Sequence, residues 1–276
     1  MRLPPDTDWL AGARRAAGAA RAAVLEFSST AERAVETGRG EGGDTTLAVD
    51  LAAEDAVFAE LEMLGAPLTA VSEERGEVEL SGGGPVRVVI DPVDGSLNAK
   101  RGLPFACVSI AVARGESIAD VELGVVVEID SGVEWWALRG GGAFRSEAGA
   151  GERSGARRIP RLAASGGKIE VLGLETARPP LLAARAEALV ALGAGRLRVF
   201  GSVAMSLCLV GAGRLDAMVS LREVRSVDVA AAQLIASETG AAVALPGGDR
   251  LDLEMRSQVL AARDEELLGR LLERLG

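Results

Sequence analysis

The 276-residue sequence predicts a layered α/β protein. Three observations carry that prediction. Helix-like and strand-like segments alternate along the chain, dense β-like sequence follows two helix-like segments, and the alternation resumes beyond a polar stretch near residue 150. Elements with one apolar face bury it by stacking in two or more layers of helix and sheet.

The elements read as follows. Asp8 to about Thr37 reads as one long helix: Ala is dense, and Trp9, Ala13, Ala20, Val24 and Phe27 supply an apolar face. Gly38–Asp44 is glycine-rich and charged, the composition of a mobile loop. A second helix is expected over Asp50–Met63, begun or capped by Asp50. Pro67–Ser72 reads as a strand ending at Glu73-Glu74. After a turn at Gly82–Gly84, the apolar run Val86–Ile90 reads as a buried strand that Pro92 ends. Ala106–Ala113 and Val121–Ile129 are strand-like. Trp135–Ala137 and Gly140–Phe144 suggest a hairpin, with the tryptophan pair equally suited to core or contact surface. The polar stretch Gly149–Pro160 is the best linker, so the expected units are residues 1–148 and 149–276. The second unit reads as strand Lys168–Gly173, helix Leu181–Leu192, strand Leu197–Phe200, helix Ser202–Val210, strand Asp216–Leu221 and helix Asp228–Thr239, stopped by Gly240.

Composition narrows the chemistry. The chain has no His, which removes histidine general bases, His-ligated zinc and Ser-His-Asp systems. A formal net charge of -10 shows no basic footprint for nucleic acid. Cys107 and Cys208 lie in apolar runs and read as buried free thiols, which suit a reducing compartment. The early residues Asp6, Asp8, Arg14 and Arg15 do not read as a signal peptide, and no apolar stretch is long enough for a membrane span. A cytoplasmic location is the expectation.

The most informative stretch is Asp91-Pro92-Val93-Asp94-Gly95-Ser96. It delivers two carboxylates at a strand's end beside the backbone N–H groups of Gly95 and Ser96. Carboxylates suit hard cations such as Mg²⁺, and a turn of amides suits an anion. An isolated Asp-Pro or Asp-Gly marks only a turn. Six such residues after a strand, with Glu73-Glu74 upstream, say more. If the strands ending at Ser72 and Ile90 are neighbours, Glu73, Asp91 and Asp94 converge, and the Val93 carbonyl could join them. Asp228 reads either as a helix cap or as a further ligand.

These motifs resemble the inositol monophosphatase-like superfamily of metal-dependent sugar phosphatases. The central pattern stands here as DPVDGSLNAKRGLPF (Asp91–Phe105). The upstream Gly-Glu-Glu stands as Ser72-Glu73-Glu74, and Trp-Asp-x-Ala-Ala stands as VDVAA (Val227–Ala231). Gly201–Val219 and TLAVD (Thr46–Asp50) match as well. The resemblance implies a layered αβαβα sandwich, commonly a homodimer, with the site between its halves. It implies that Glu73, Asp91, the Val93 carbonyl, Asp94 and Asp228 hold two or three Mg²⁺. Glu74 would orient or activate water, and Ser96, with Asp50 behind it, would extend that hydrogen-bond network. The loop at Arg39–Asp44 would help with a third ion.

A cation that acidifies water removes the need for histidine, so direct hydrolysis of a small phosphate ester is expected. Gly95 and Ser96 would face the phosphoryl oxygens. Leu221 stands where the animal inositol enzymes carry a sugar-contacting glutamate. Arg196, Arg198, Arg222 and Arg225 are candidates for a second phosphate. By the resemblance, fructose 1,6-bisphosphate and inositol 1-phosphate are the expected substrates. The alternatives are a 3′(2′),5′-bisphosphate nucleotidase, or a non-catalytic metal-binding structural or regulatory protein.

Overall fold

The computed structural model describes residues 3–41, 43, 45–146 and 155–276. The long N-terminal helix is shorter than the sequence reading. α1 spans Trp9–Glu26, capped by Asp8, and Phe27 is extended. Ser29 and Glu32 then form a reciprocal capping box that starts a new one-turn helix, α2 (Thr30–Arg33). The Gly38–Asp44 stretch is likewise partly strand. β1 (Glu36–Arg39) pairs antiparallel with β2 (Thr45–Leu47). α3 runs over Ala48–Leu64 and ends on Gly65 in the left-handed conformation.

The strands β3 (Leu68–Ser72), β4 (Gly76–Leu80) and β5 (Arg87–Asp94) follow, then the short helix α4 (Ser96–Arg101). β6 (Cys107–Ala113), β7 (Val121–Glu128), β8 (Glu134–Leu138), β9 (Gly142–Ser146) and β10 (Arg157–Arg158) complete an eight-stranded sheet in the order β10-β9-β8-β7-β6-β5-β3-β4. β3 and β5 are parallel neighbours, with Ser72 opposite Ile90. Pro92 does not end β5. The register with β6 slips between Asp91 and Asp94, and pairing resumes at Asp94–Cys107. A bulge tolerates the missing proline N–H and re-aims the residues around it. Trp135 and Trp136 point to opposite faces of β8, and both are buried, so the pair is core.

The second half contains β11 (Val171–Glu175), α5 (Pro179–Leu192), β12 (Arg196–Arg198), α6 (Val203–Gly211), β13 (Ala217–Ser220), α7 (Ser226–Glu238), β14 (Ala242–Ala244), β15 (Leu260–Ala262) and α8 (Glu265–Leu275). β11 starts three residues later than the sequence reading. Its sheet has the order β12-β11-β13-β15-β14. α1 and α3 cover one face of the large sheet. α6 and α7 pack between the two sheets, and α5 and α8 cover the far face of the small one. The result is an αβαβα sandwich. The expected boundary at residue 148 lies outside the described residues.

Its cores are built from small aliphatic side chains, which permits close approaches. Gly124 on β7 lies against the backbone of Ala231, so α7 rests directly on the sheet. α6 and α7 carry C-terminal residues into the core shared with β6, β7 and β8. Buried apolar area of this kind contributes roughly 25 cal/mol per Å². The same packing brings the start of α7 to the carboxyl ends of β3 and β5.

Candidate metal and phosphate site

The parallel pairing of β3 and β5 brings Glu73 beside Asp91. One carboxylate oxygen from each of Glu73, Asp91 and Asp228 lies within 4.8 Å of the others. Asp228 is the third residue of α7, and its Oδ2 accepts the Arg225 backbone N–H at 2.7 Å. The two readings of Asp228, cap and cluster member, are thus both realised. Asp91 Oδ1 accepts the Val93 N–H at 3.0 Å, across the bulge at Pro92.

Asp94 sits differently. Its Oδ2 accepts from Ser202 Oγ and from the Ala204 N–H, each at 2.7 Å. It ties the bulge of β5 to the start of α6 while still lining the acidic pocket. That pocket, of about 210 Å³, is lined by Thr45, Asp50, Glu73, Asp91, Val93, Asp94, Gly95, Ser96, Arg225 and Asp228. Gly95 has φ +90°, and a side chain there would come within 2.9 Å of the Phe105 carbonyl. Only glycine suits that corner.

Burial and mutual repulsion set the electrostatics. Burial, then the nearby Asp228 and Glu74 charges, push the Glu73 carboxyl up to about 8 against the pull of Arg225. Burial and the Glu73, Asp94 and Asp228 charges push Asp91 well above the usual carboxylate range. Asp94 is raised to about 7 by burial and Asp228. Carboxyls so placed gain most from a positive charge among them.

The expected link between Ser96 and Asp50 is not made by a direct hydrogen bond. Ser96 Oγ donates to the Val93 carbonyl at 2.9 Å and forms no described bond to Asp50. Asp50, third residue of α3, accepts instead from the Leu47 N–H at 3.0 Å. The bulge turns the Val93 carbonyl within reach of the serine three residues on. Asp50 Oδ1 is buried with no hydrogen-bond partner among the described residues, and burial raises its carboxyl to about 7. Glu74 accepts from Thr46 Oγ1, and its backbone carbonyl takes the Glu41 N–H. The β1–β2 hairpin is thereby docked on the acidic pair. Asp44 of the expected loop lies outside the described residues. The serine that replaces the motif glycine at Ser72 donates to the buried Glu54.

A larger cavity of about 510 Å³ adjoins the acidic pocket and shares Asp94, Arg225 and Asp228 with it. Thr176, Arg178, Arg222 and Arg256 line its other side. Arg222, one of the arginines expected to meet a second phosphate, lines this cavity. Arg196 and Arg198 lie on the exposed edge strand β12, outside the described lining of either pocket. Closely spaced basic residues say nothing about which sheet edge carries them. Arg178 and Arg256 were missed, because each lies in a turn far from any motif. Arg225, a candidate phosphate ligand, instead places Nη2 2.7 Å from Glu73 Oε1 and 3.6 Å from Asp228 Oδ1. Glu175 was also missed. It is 1% exposed and holds the loop before α6 through the Phe200 and Gly201 N–H groups and Ser206 Oγ.

The donor set fits a hard divalent cation. The donors are carboxylate and carbonyl oxygens, Asp50 contributes an unpartnered buried oxygen nearby, and the raised carboxyls call for positive charge. Fold and site together define a phosphatase-type hydrolase with an acidic, metal-capable centre.

Comparison with known proteins agrees. The inositol monophosphatase family model matches residues 6–276. A fructose-1,6-bisphosphatase/inositol-1-monophosphatase of Methanothermobacter thermautotrophicus is 31% identical, over 97% of this chain and 96% of the relative. A bifunctional NADP phosphatase/NAD kinase of Methanococcus maripaludis is 28% identical, over 84% of this chain and 43% of the relative. The crystal structure of an inositol monophosphatase–fructose 1,6-bisphosphatase superimposes with a TM-score of 0.80 at 26% identity, covering 97% of this chain and all of that one. The chain belongs to the inositol monophosphatase family.

Proposed function

We propose that the protein hydrolyses phosphate monoesters of sugars or inositol, with fructose 1,6-bisphosphate and inositol 1-phosphate as substrates and Mg²⁺ as cofactor. The observation that carries this reading is the junction of an acidic pocket with a cavity lined by arginines. Similarity to bifunctional fructose-bisphosphatase/inositol monophosphatases supports it.

Glu73, Asp91, the Val93 carbonyl, Asp94 and Asp228 would hold two or three Mg²⁺. Bound there, the ions supply acidified water and charge compensation for the leaving oxygen. The chain's own groups do the rest. Glu74, held by Thr46, orients the attacking water by accepting its proton-bearing side. Ser96 keeps the Val93 carbonyl aimed through its hydroxyl bond, and Asp50 receives a water hydrogen bond at its unpartnered oxygen. The Gly95 and Ser96 N–H groups meet the phosphoryl oxygens, where negative charge is concentrated. Arg222, with Arg178 and Arg256, binds a second anionic group by charge-assisted bonds and favours the bisphosphate. Arg196 and Arg198 would act at most on approach.

Similarity to an NADP phosphatase favours a second reading, hydrolysis of a nucleotide phosphate. The described cavity lining offers no aromatic ring for a base, and Trp135 and Trp136 are buried. We rank it lower. Domains 1–148 and 149–276, a homodimer and a cytoplasmic location complete the proposal. Among the described residues no helix is long and apolar enough to cross a membrane.

The test is phosphate release with Mg²⁺ from fructose 1,6-bisphosphate, inositol 1-phosphate and phosphoadenosine phosphate. Asp91→Asn is a cleaner control than Asp94→Asn, since Asp94 also holds α6. Release from a sugar phosphate, lost in D91N, is expected. No release from any substrate refutes the reading.

A further inference from the structure

The guanidinium of Arg225 reaches into the acidic cluster, beside two of its three carboxylates, Glu73 and Asp228. Asp228 Oδ2 accepts the Arg225 backbone N–H, and Oδ1 is the oxygen nearer its guanidinium. Arg225 Nη2 is 3.6 Å from that oxygen and 2.7 Å from Glu73 Oε1. Mg²⁺ coordinates carboxylate oxygens at about 2.1 Å. A cation bound among these carboxylates would therefore have the guanidinium charge close beside it, and like charges so near repel. Arg225 also has somewhere to go. It lines both the acidic pocket and the larger cavity, and Arg178, Arg222 and Arg256 form the far side of that cavity. Its backbone N–H is held by Asp228 at the start of α7, so only the side chain need rotate for it to change partner.

We propose that Arg225 competes with a divalent cation for Glu73 and Asp228, and that cation binding passes its guanidinium to a phosphate oxyanion in the adjoining cavity. The proposal rests on the reading of the acidic pocket as a cation site. It goes beyond that reading in making one arginine the exchangeable partner of both ligands. Two consequences follow. An oxyanion that draws Arg225 into the cavity frees the carboxylates and tightens cation binding, and by linkage the cation tightens the anion by the same factor. Each ligand thus prepares the site for the other. A purely supporting role, with Arg225 holding the two carboxylates in place for the ion, predicts the opposite sign when the arginine is removed.

Mn²⁺ titration calorimetry at neutral pH on the full chain separates these. The proteins are native, Arg225→Gln and Arg225→Lys, each with and without sulfate, a tetrahedral oxyanion that leaves Mn²⁺ soluble. Circular dichroism verifies the fold. R225Q is expected to bind Mn²⁺ about tenfold tighter than native without sulfate, within the usual range for coupled ligands. Sulfate is expected to tighten Mn²⁺ binding in the native protein and not in R225Q. R225K, which keeps the charge, is expected to stay near native. Equal or weaker Mn²⁺ binding by folded R225Q, or an undiminished sulfate effect in it, overturns the competition. R225K as tight as R225Q removes its charge basis. Absence of Mn²⁺ binding in all three proteins overturns the acidic-pocket reading itself, and this proposal with it.

Discussion

Glu175 offers a stability test that needs no substrate. Its carboxylate is buried at the end of β11, where Oε1 accepts from Ser206 Oγ at 2.5 Å and from the Phe200 N–H at 3.3 Å, while Oε2 accepts from the Gly201 N–H at 2.9 Å. Burial outweighs these bonds and raises the carboxyl from an ordinary 4.5 to about 7. In that interval the folded chain binds more protons at Glu175 than the unfolded chain does, so stability falls as pH rises. At about 1.4 kcal/mol per pH unit, the cost approaches about 3 kcal/mol at about pH 8 and is under about 1 kcal/mol at about pH 5. Glu175→Gln removes the ionisation. It also turns one acceptor into a donor facing the Phe200 N–H, a loss of about 1 kcal/mol. The two proteins should therefore be nearly equal at about pH 5, and E175Q should be about 2 kcal/mol more stable at about pH 8. Urea unfolding of both proteins at the two pH values, with a chelator present, measures the difference and cancels the other carboxyls. A stability gap that is the same at both pH values would refute the argument that burial dominates at Glu175.

Other outcomes follow from the same geometry. Gly95→Ala places a side chain at φ +90° within 2.9 Å of the Phe105 carbonyl and 3.2 Å of the Gly201 carbonyl. It should cost about 2–4 kcal/mol in a urea titration. Gly124→Ala would drive a methyl into the Ala231 carbonyl and lift α7 from β7. A loss of about 3 kcal/mol is expected, seen as a fall in the thermal midpoint of roughly 6 °C or more. Because Glu73 is raised to about 8 and Asp91 lies well above the usual range, protons must leave before a cation binds. Mn²⁺ affinity should rise at least about tenfold between about pH 6 and about pH 8. A flat profile would show that the cluster is already ionised at the lower pH.

The order of layers was legible because most of the longer elements carry a local apolar signature, and residues such as Trp9, Ala13 and Val24 do face the core. Two local errors have local causes. The long first helix was drawn through Ser28–Glu32, although Ser29-x-x-Glu32 is itself a start signal that the alanine-rich pattern obscured. Pro92 reads as a stop in the sequence, but a proline in a bulge interrupts one register step and the strand goes on. The tail beyond Gly240 was not divided into elements. Its β15 lies between β13 and β14, and such a short strand has no pattern of its own to show.

The acidic residues were legible for a different reason. Glu73 follows the end of β3, Asp91 stands at the bulge of β5 and Asp228 lies in the first turn of α7, and chemistry at such irregular or terminal positions is exposed to a site by geometry. The arginines obey no such rule. Arg178 and Arg256 line the cavity from turns, while Arg196 and Arg198, more prominent in the sequence, lie on an outer edge. A long side chain can also answer to two sites at once. Nothing local to Arg225 says whether it should meet phosphate or carboxylate. The answer depends on Glu73, which is brought there by the pairing of β3 with β5 and lies 152 positions away in the chain. Charge partners set by topology are therefore the part of this site that sequence patterns conceal, and they are also where its response to cations and anions is decided.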